Sequence, residues 1–475
     1  MSIVLEPDWR GSKVQGPRSE VLDQSSSRST SDVPCAEYGF ETVDPNQLKW
    51  AEAPSVRFCE LLLDPVHRNE ILDVSLPRRT FLSVVPAGIS AALLPACSAE
   101  GERSSTSADS GNRGSLSTPN STGEGFTPNT DPPAIHQFFM PAEEAEHERT
   151  WMCWPSNEDI WGDGLEEVQN NIAEIARAIA AFEPVTMLVR PEEMEAVADL
   201  LGEEIELLEA PVDDLWARDT LPAFLITAPG DPQPGMAAGR VRFNGWGGKQ
   251  THDGDATLAE LLATHLDIPL HDWGLVGEGG GFEVDGAGTV LAAESSWVND
   301  NRNPGKTRDE IEAGLLSLLG ADRMIWVDGL AGHDITDGHI DTLARFASET
   351  TIVVDAPAFP EEDDVWVDLA ARTKELIEAA VTSDGEPYEV IEITQPGEPR
   401  GTGEAFLGSY MNYYVCNGAV IAPEFGDEAA DAAARELLAE LFPDREVVQI
   451  NIDGLAAGGG GIHCATQQQP KLRGE

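Results

Sequence analysis

From about Phe138 to Pro470 short apolar runs alternate with amphipathic stretches. Leu165, Val168, Ile172, Ile175 and Ile179 recur at the three- and four-residue spacing of one helix face, and the unbroken run Val185 to Val189 that follows has the length of a buried strand. Thr307-x-x-Glu310 is a capping box that opens a helix running to about Leu319, and a strand is expected from Met324 to Val327. Further strands are expected at 223–227, 351–354, 388–394, 419–423 and 446–451, with helices near 364–381 and 428–441. The class is α/β. The strand-and-helix unit recurs about five times without a visible sequence repeat, and periodicity alone leaves the arrangement of the units open. No Gly-x-Gly-x-x-Gly follows a strand in the right context, so no dinucleotide cofactor is expected.

Ahead of this region the pattern changes. Residues 1–73 are weakly periodic and suggest no fold. Arg78-Arg79-Thr80-Phe81-Leu82 then leads into an uncharged apolar stretch from Ser83 to Ala96, closed by Cys97. The stretch is too short for a permanent membrane span, and Pro86, Gly88 and Pro95 argue against a buried helix. Residues 74–97 resemble a twin-arginine export signal, and Leu94-Pro95-Ala96-Cys97 resembles a lipoprotein cleavage site at which Cys97 receives the lipid. The expectation is an exported protein tethered to the outer face of the membrane; the alternative is a cytoplasmic one. Because such signals stand at N-termini, translation is expected to start near Val74 or Ser75, with residues 1–73 an artefact of start assignment. Residues 98–133 are rich in Ser, Thr, Gly, Asn and Pro, the composition of an unstructured linker, and 134–475 form the single catalytic domain.

Charge narrows the partners. The chain carries 84 acids and 30 bases, a net charge of −54, and residues 131–475 hold 67 of the acids against 19 bases. Such a surface repels nucleic acid and anionic lipid and favours a small cation as substrate. Salt adaptation is the plainer explanation of an acid-rich, lysine-poor composition. Six cysteines at irregular positions give no disulfide framework.

The chemistry lies in four polar clusters on expected loops: Asp213-Asp214-Leu215-Trp216-Ala217-Arg218-Asp219-Thr220, Glu278-Gly279-Gly280-Gly281, Asp337-Gly338-His339-Ile340-Asp341, and a run of four glycines, Gly458 to Gly461, leading through Ile462 and His463 to Cys464. Glycines without side chains let backbone and ligand approach closely, which is how a nucleophile is presented. Together the clusters hold a thiol, a histidine and several carboxylates. That is the equipment for attack on a guanidinium, which stays cationic at neutral pH, is gripped by paired carboxylate oxygens, and yields to a thiolate where a hydroxyl is too weak. A histidine beside the thiol can protonate departing ammonia and then activate water.

The residues resemble the agmatine deiminases and the related bacterial-type peptidylarginine deiminases of the guanidino-group-modifying superfamily. The likeness runs from Met140-Pro141-Ala142-Glu143 and Trp151-Met152-Cys153-Trp154-Pro155 through Trp216-Ala217-Arg218-Asp219, Phe243-Asn244-Gly245-Trp246-Gly247-Gly248, Glu278-Gly279-Gly280 and Asn301-Arg302-Asn303-Pro304 to Gly338-His339-Ile340-Asp341 and Gly458 to Pro470. The resemblance implies a five-bladed α/β propeller. It implies Cys464 as nucleophile, His339 as general acid and base, Glu278 as a carboxylate that binds the guanidinium and assists His339, Asp219 and Asp341 as the substrate clamp, and Trp216 as a wall for the alkyl chain. Arg218 is expected to orient carboxylates, and His463, Cys153 and Cys416 to be structural. The implied reaction is agmatine to N-carbamoylputrescine and ammonia without a cofactor, with peptidyl or free arginine as the alternative substrate. The chain departs from the family pattern at Gly281-Phe282 and at Glu294-Ser295-Ser296-Trp297. Two other classes remain: a hydrolase holding a divalent ion through His333, Asp334, Asp337, His339 and Asp341, which leaves Cys464 without a purpose, and a tethered solute-binding lipoprotein, which has no use for Cys464 and His339 together.

Overall fold

The computed structural model describes residues 137–228 and 231–472. The export-signal-like segment, the linker and residues 1–73 lie outside the described residues.

The amphipathic run at Leu165 forms the helix Leu165–Ala180, which buries Val168, Ile172, Ile175 and Ile179. Burying each such side chain contributes on the order of 2 kcal/mol, so this face fixes the helix more firmly than propensity does. The helix connects the strands His147–Cys153 and Val185–Val189, which pair in parallel, while His147–Cys153 pairs antiparallel on its other edge. The same unit, an antiparallel pair extended by a parallel strand after a helix, recurs in all five sheets of the described residues.

Ala223–Thr227, Met236–Arg242 and Leu270–Val276 form one, with the short strand Phe138–Phe139 on its edge. Phe282–Val284, Thr289–Ala293 and Arg323–Val327 form the second, and its helix Arg308–Leu319 opens on the expected capping box, with Thr307 and Glu310 bonded reciprocally. Ala344–Ser348, Thr351–Ala356 and Glu389–Thr394 form the third, around the helix Val365–Glu378. Tyr414–Cys416, Ala419–Glu424 and Glu446–Asn451 form the fourth, around Glu428–Leu441. The fifth joins the two ends of the fold: its first strand is the late segment Thr466–Pro470, laid against His147–Cys153, and Glu206–Glu209 continues it beyond Val185–Val189.

Every expected helix and strand is present to within a few residues at its ends. No strand is expected from the sequence at His147–Cys153, Glu206–Glu209, Met236–Arg242, Leu270–Val276, Phe282–Val284, Thr289–Ala293, Ala344–Ser348, Tyr414–Cys416 or Thr466–Pro470; the last of these, placed in the loop of Cys464, is a fully buried strand. Among the described residues no helix is long and apolar enough to cross a membrane.

Candidate active site

Each of the five sheets is preceded by a tight turn just ahead of its first strand, and these turns bring the chemistry together. Ala217–Thr220 carries Asp219, Gly279–Gly281 follows Glu278, Ile340–Thr342 follows His339 and carries Asp341, Tyr410–Asn412 carries Asn412, and Cys464 stands just before Thr466–Pro470. The loops expected from sequence are thus short helical turns.

Cys464 is 8% exposed. Its backbone N–H donates to Asn412 Oδ1 at 3.1 Å and its carbonyl accepts from the Arg218 N–H at 3.1 Å, so both ends of the residue are held. The thiol donates to Asp341 Oδ2 at 3.4 Å. Burial, and then the charges of Asp341 and Asp219, push the thiol pKa well up. Cys464 is therefore held as the neutral thiol.

His339 is buried, with Nε2 3.3 Å from Glu278 Oε2 and Nδ1 3.8 Å from Asp219 Oδ1. Burial alone would lower its pKa, but Asp219, Glu278 and Asp341 outweigh it and hold the imidazole up to about 9. Asp219 is fixed by Trp246 Nε1 at 2.9 Å and the Gly280 N–H at 2.9 Å, and burial raises its carboxyl against the pull of His339. Glu278 accepts from Arg302 Nε at 2.9 and 2.8 Å; the same guanidinium donates to Asp337 at 2.7 Å, and Lys249 adds an ion pair to Asp337 at 2.8 Å. Asp337 therefore serves Arg302, and burial is overcome by Lys249, Asn301 and Arg302, which hold its carboxyl well below the usual range. Among the described residues no three His, Cys, Asp or Glu side chains are placed to hold a metal ion, and His333, Asp334 and Asp337 do not join His339 and Asp341 in such a set.

Asp341 is the hub. Its Oδ2 accepts from His463 Nδ1 at 2.8 Å, from Asn412 Nδ2 at 3.3 Å and from the Cys464 thiol. Its Oδ1 is buried without a partner among the described residues. Burial pushes this carboxyl up, and His463, His339 and Arg345 together bring it below its ordinary value.

The glycines have separate duties. A Cβ on Gly280 would lie 2.7 Å from His339 Nδ1 and 2.9 Å from Asp219 Oδ1, inside normal contact distance. Cβ atoms on Gly458 and Gly460 would strike the rings of Trp161 and Trp216, and one on Gly461 would meet Asn412 at 2.6 Å. Three of the four are thus glycine because two indoles and the Asn412 amide lie directly on the backbone leading to Cys464, and the fourth, Gly459, has a φ of +87°. Trp216, 7% exposed, packs 6.0 Å from Trp161, centroid to centroid. The two unusual segments are one arrangement: Trp297 Nε1 donates to the Gly281 carbonyl at 2.7 Å, and a Cβ on Gly281 would lie 2.8 Å from that nitrogen.

Sequence reasoning passed over one residue here. Asn412 has no motif of its own; its only signal is a place equivalent to the other four turns, ahead of the first strand of its sheet. His463, read as structural, bonds Asp341 on one side and Glu143 on the other. Arg218 does orient a carboxylate, but it is Glu143, at 3.0 Å, along with Gln468 at 2.7 Å. Cys153 and Cys416 are buried in the core with thiols held up chiefly by burial.

Known proteins share this construction. The agmatine deiminase of Stutzerimonas stutzeri (strain A1501) is 34% identical over 377 residues, covering 72% of this chain and 98% of that one. That of Medicago truncatula is 33% identical over 373 residues, with 72% and 98% covered. The solved structure of the agmatine deiminase of Enterococcus faecalis superposes with a TM-score of 0.65 at 28% identity, over 70% of this chain and 96% of that chain. The family model described as Porphyromonas-type peptidyl-arginine deiminase matches residues 139–470, the span that carries all five sheets and all five turns, and the chain belongs to that family.

Proposed function

We propose that this protein is a hydrolase of linear amidines that converts agmatine and water to N-carbamoylputrescine and ammonium. The observation that carries this reading is the convergence of Asp219, Glu278, His339, Asp341 and Cys464 in one buried cluster, with one oxygen of Asp341 unpartnered among the described residues. The names of the relatives supply the substrate. We infer that the five sheets are the blades of a five-bladed propeller, with their leading turns gathered at one end of its axis; five repeats of one strand-and-helix unit support this.

Asp219, Asp341 and Glu278 hold the guanidinium, each charge-assisted bond contributing roughly 1.5–3 kcal/mol. The substrate's positive charge offsets the acids that keep the thiol protonated, so Cys464 ionises only once the site is filled. The thiol proton leaves to solvent as the site fills and is regained when product departs; in between, Sγ attacks the guanidinium carbon, and the tetrahedral adduct expels one nitrogen as ammonia after taking a proton from His339. The resulting thiouronium is attacked by water that has given a proton back to His339. Collapse breaks the C–S bond, restores the thiolate, and releases the hydroxyl proton that leaves with ammonia as ammonium.

Purified residues 98–475 in high salt, incubated with agmatine, arginine and an arginyl peptide while ammonia and ureido product are measured, test the proposal. Turnover of agmatine at least about tenfold better in kcat/KM than the other two is expected. Preference for arginine or the peptide would move the chain to the arginine-directed alternative, and no ammonia from any of the three would overturn deimination.

A further inference from the structure

His463 is 2% exposed and has carboxylates on both sides. Its Nδ1 is 2.8 Å from Asp341 Oδ2, and its Nε2 is 3.0 Å from Glu143 Oε2 and 3.6 Å from Glu283 Oε1. A neutral imidazole has one donor and one acceptor, whereas an ionised carboxylate only accepts. Both nitrogens must therefore donate. The cluster behind the ring agrees: Arg345 donates to Glu143 at 2.9 Å and Glu283 at 2.8 Å, and Arg218 donates to Glu143 at 3.0 Å. The two arginines thus spend their carboxylate bonds on Glu143 and Glu283, and among the described residues neither donates to Asp341, which takes its bond from His463 Nδ1.

We propose that His463 is a positioning residue for deimination: an imidazolium braced by Glu143 that fixes Asp341 Oδ2, keeps that carboxylate charged, and leaves Oδ1 aimed at the guanidinium. It rests on the assignment of Asp341 to the substrate clamp. From the other packed elements Asp341 also faces His339, Asp219, Cys464 and Asn412, and Arg345 acts on it from Ala344–Ser348. None of these replaces the direct bond from Nδ1. Without the imidazolium the burial that raises the Asp341 carboxyl is offset only by the charges of His339 and Arg345, so the carboxyl takes up its proton at higher pH.

His463→Gln, which can donate to one carboxylate but brings no charge, is compared with the wild type and with His463→Lys, using kcat/KM for agmatine across pH 3 to 9 in constant high salt. The acid limb of the Gln variant should move up by roughly one to three pH units, with KM at pH 7 rising at least about tenfold and kcat changing less; Lys should bring the limb back toward the wild type. A Gln variant that loses activity evenly across pH, its limb superimposed on the wild type, overturns the proposal. Should the Gln variant not fold, the wild-type protein decides: 15N histidine spectra, assigned through the single His-Cys pair of the chain, must show both ring nitrogens of His463 protonated at pH 7, and a neutral tautomer overturns it. Asp341→Asn separates this from the underlying assignment. If that variant binds agmatine as tightly as wild type, the clamp itself is wrong; if it binds weakly while His463→Gln keeps its limb, only the role of His463 fails.

Discussion

A thiol surrounded by carboxylates is a poor nucleophile at rest, and Cys464 is held in that state by burial and by Asp341 and Asp219. Its reactivity then depends on a cationic occupant, which also limits oxidation of the empty enzyme. Cys464→Ser is expected to bind agmatine within a few-fold of wild type and to release ammonia at less than a few per cent of its rate, measured by calorimetry and an ammonia assay. His339 makes the second prediction. As an acid held up to about 9 it is protonated below that pH, so kcat/KM should fall as pH rises through about 9. The guanidinium that joins Asp219 and Glu278 in the filled site competes for the same carboxylates, so the basic limb of kcat should lie at lower pH than that of kcat/KM. Coincident limbs would show that His339 and substrate do not share those carboxylates. Asp219→Asn replaces a charged acceptor with a neutral amide and should raise KM roughly ten- to a hundredfold, checked by steady-state kinetics.

At the scale of elements the site is five turns, each delivering one or two side chains from the start of a sheet, and tolerance for bulk differs sharply among them. Gly280→Ala places a methyl group against both His339 and Asp219, while the backbone of the turn has no positive φ to lose. Activity should drop by at least about a hundredfold with a melting temperature within a few degrees of wild type; an active Ala variant would mean the turn can slide away from the site. Most of these elements are legible in the sequence because local rules and burial agree: the capping box at Thr307 and Glu310, the apolar stripe of Leu165–Ala180 and the run Val185–Val189 each speak for themselves. Thr466–Pro470 does not. Its glutamines are buried because Gln468 bonds Arg218, Gln469 bonds Trp151 and Gln467 bonds the Pro222 carbonyl, all partners more than two hundred residues away. The bonds of Asn412 and His463 were illegible for the same reason: each is made to a distant neighbour. Cys464, His339 and the clamp carboxylates were readable as chemistry, but their distances were not.

Taken whole, residues 131–475 carry 67 acids against 19 bases, and self-repulsion opposes the compact state unless ions screen it. The screening length is about 30 Å at 0.01 M salt and about 3 Å at 1 M, against a radius of gyration near 20 Å for a domain of this size. The melting temperature should therefore climb by roughly ten degrees or more between those limits, followed by thermal denaturation in potassium chloride; a flat or falling profile would remove salt adaptation as the reason for the charge. The folded enzyme should meanwhile lose part of its kcat/KM for a cationic substrate as long-range attraction is screened. The pairing of Thr466–Pro470 with His147–Cys153 joins segments about three hundred residues apart, a contact of high loop-closure entropy. On the ribosome the consequence is one of timing. Asp219, Glu278, His339, Asp341 and Asn412 have all left the peptidyl-transferase centre before Cys464 is added, and Cys464 belongs to the segment that closes the fifth sheet. A nascent or prematurely terminated chain that stops short of Cys464 therefore lacks both that thiol and a closed fifth sheet, and the residue proposed as nucleophile is made together with the segment that completes the fold.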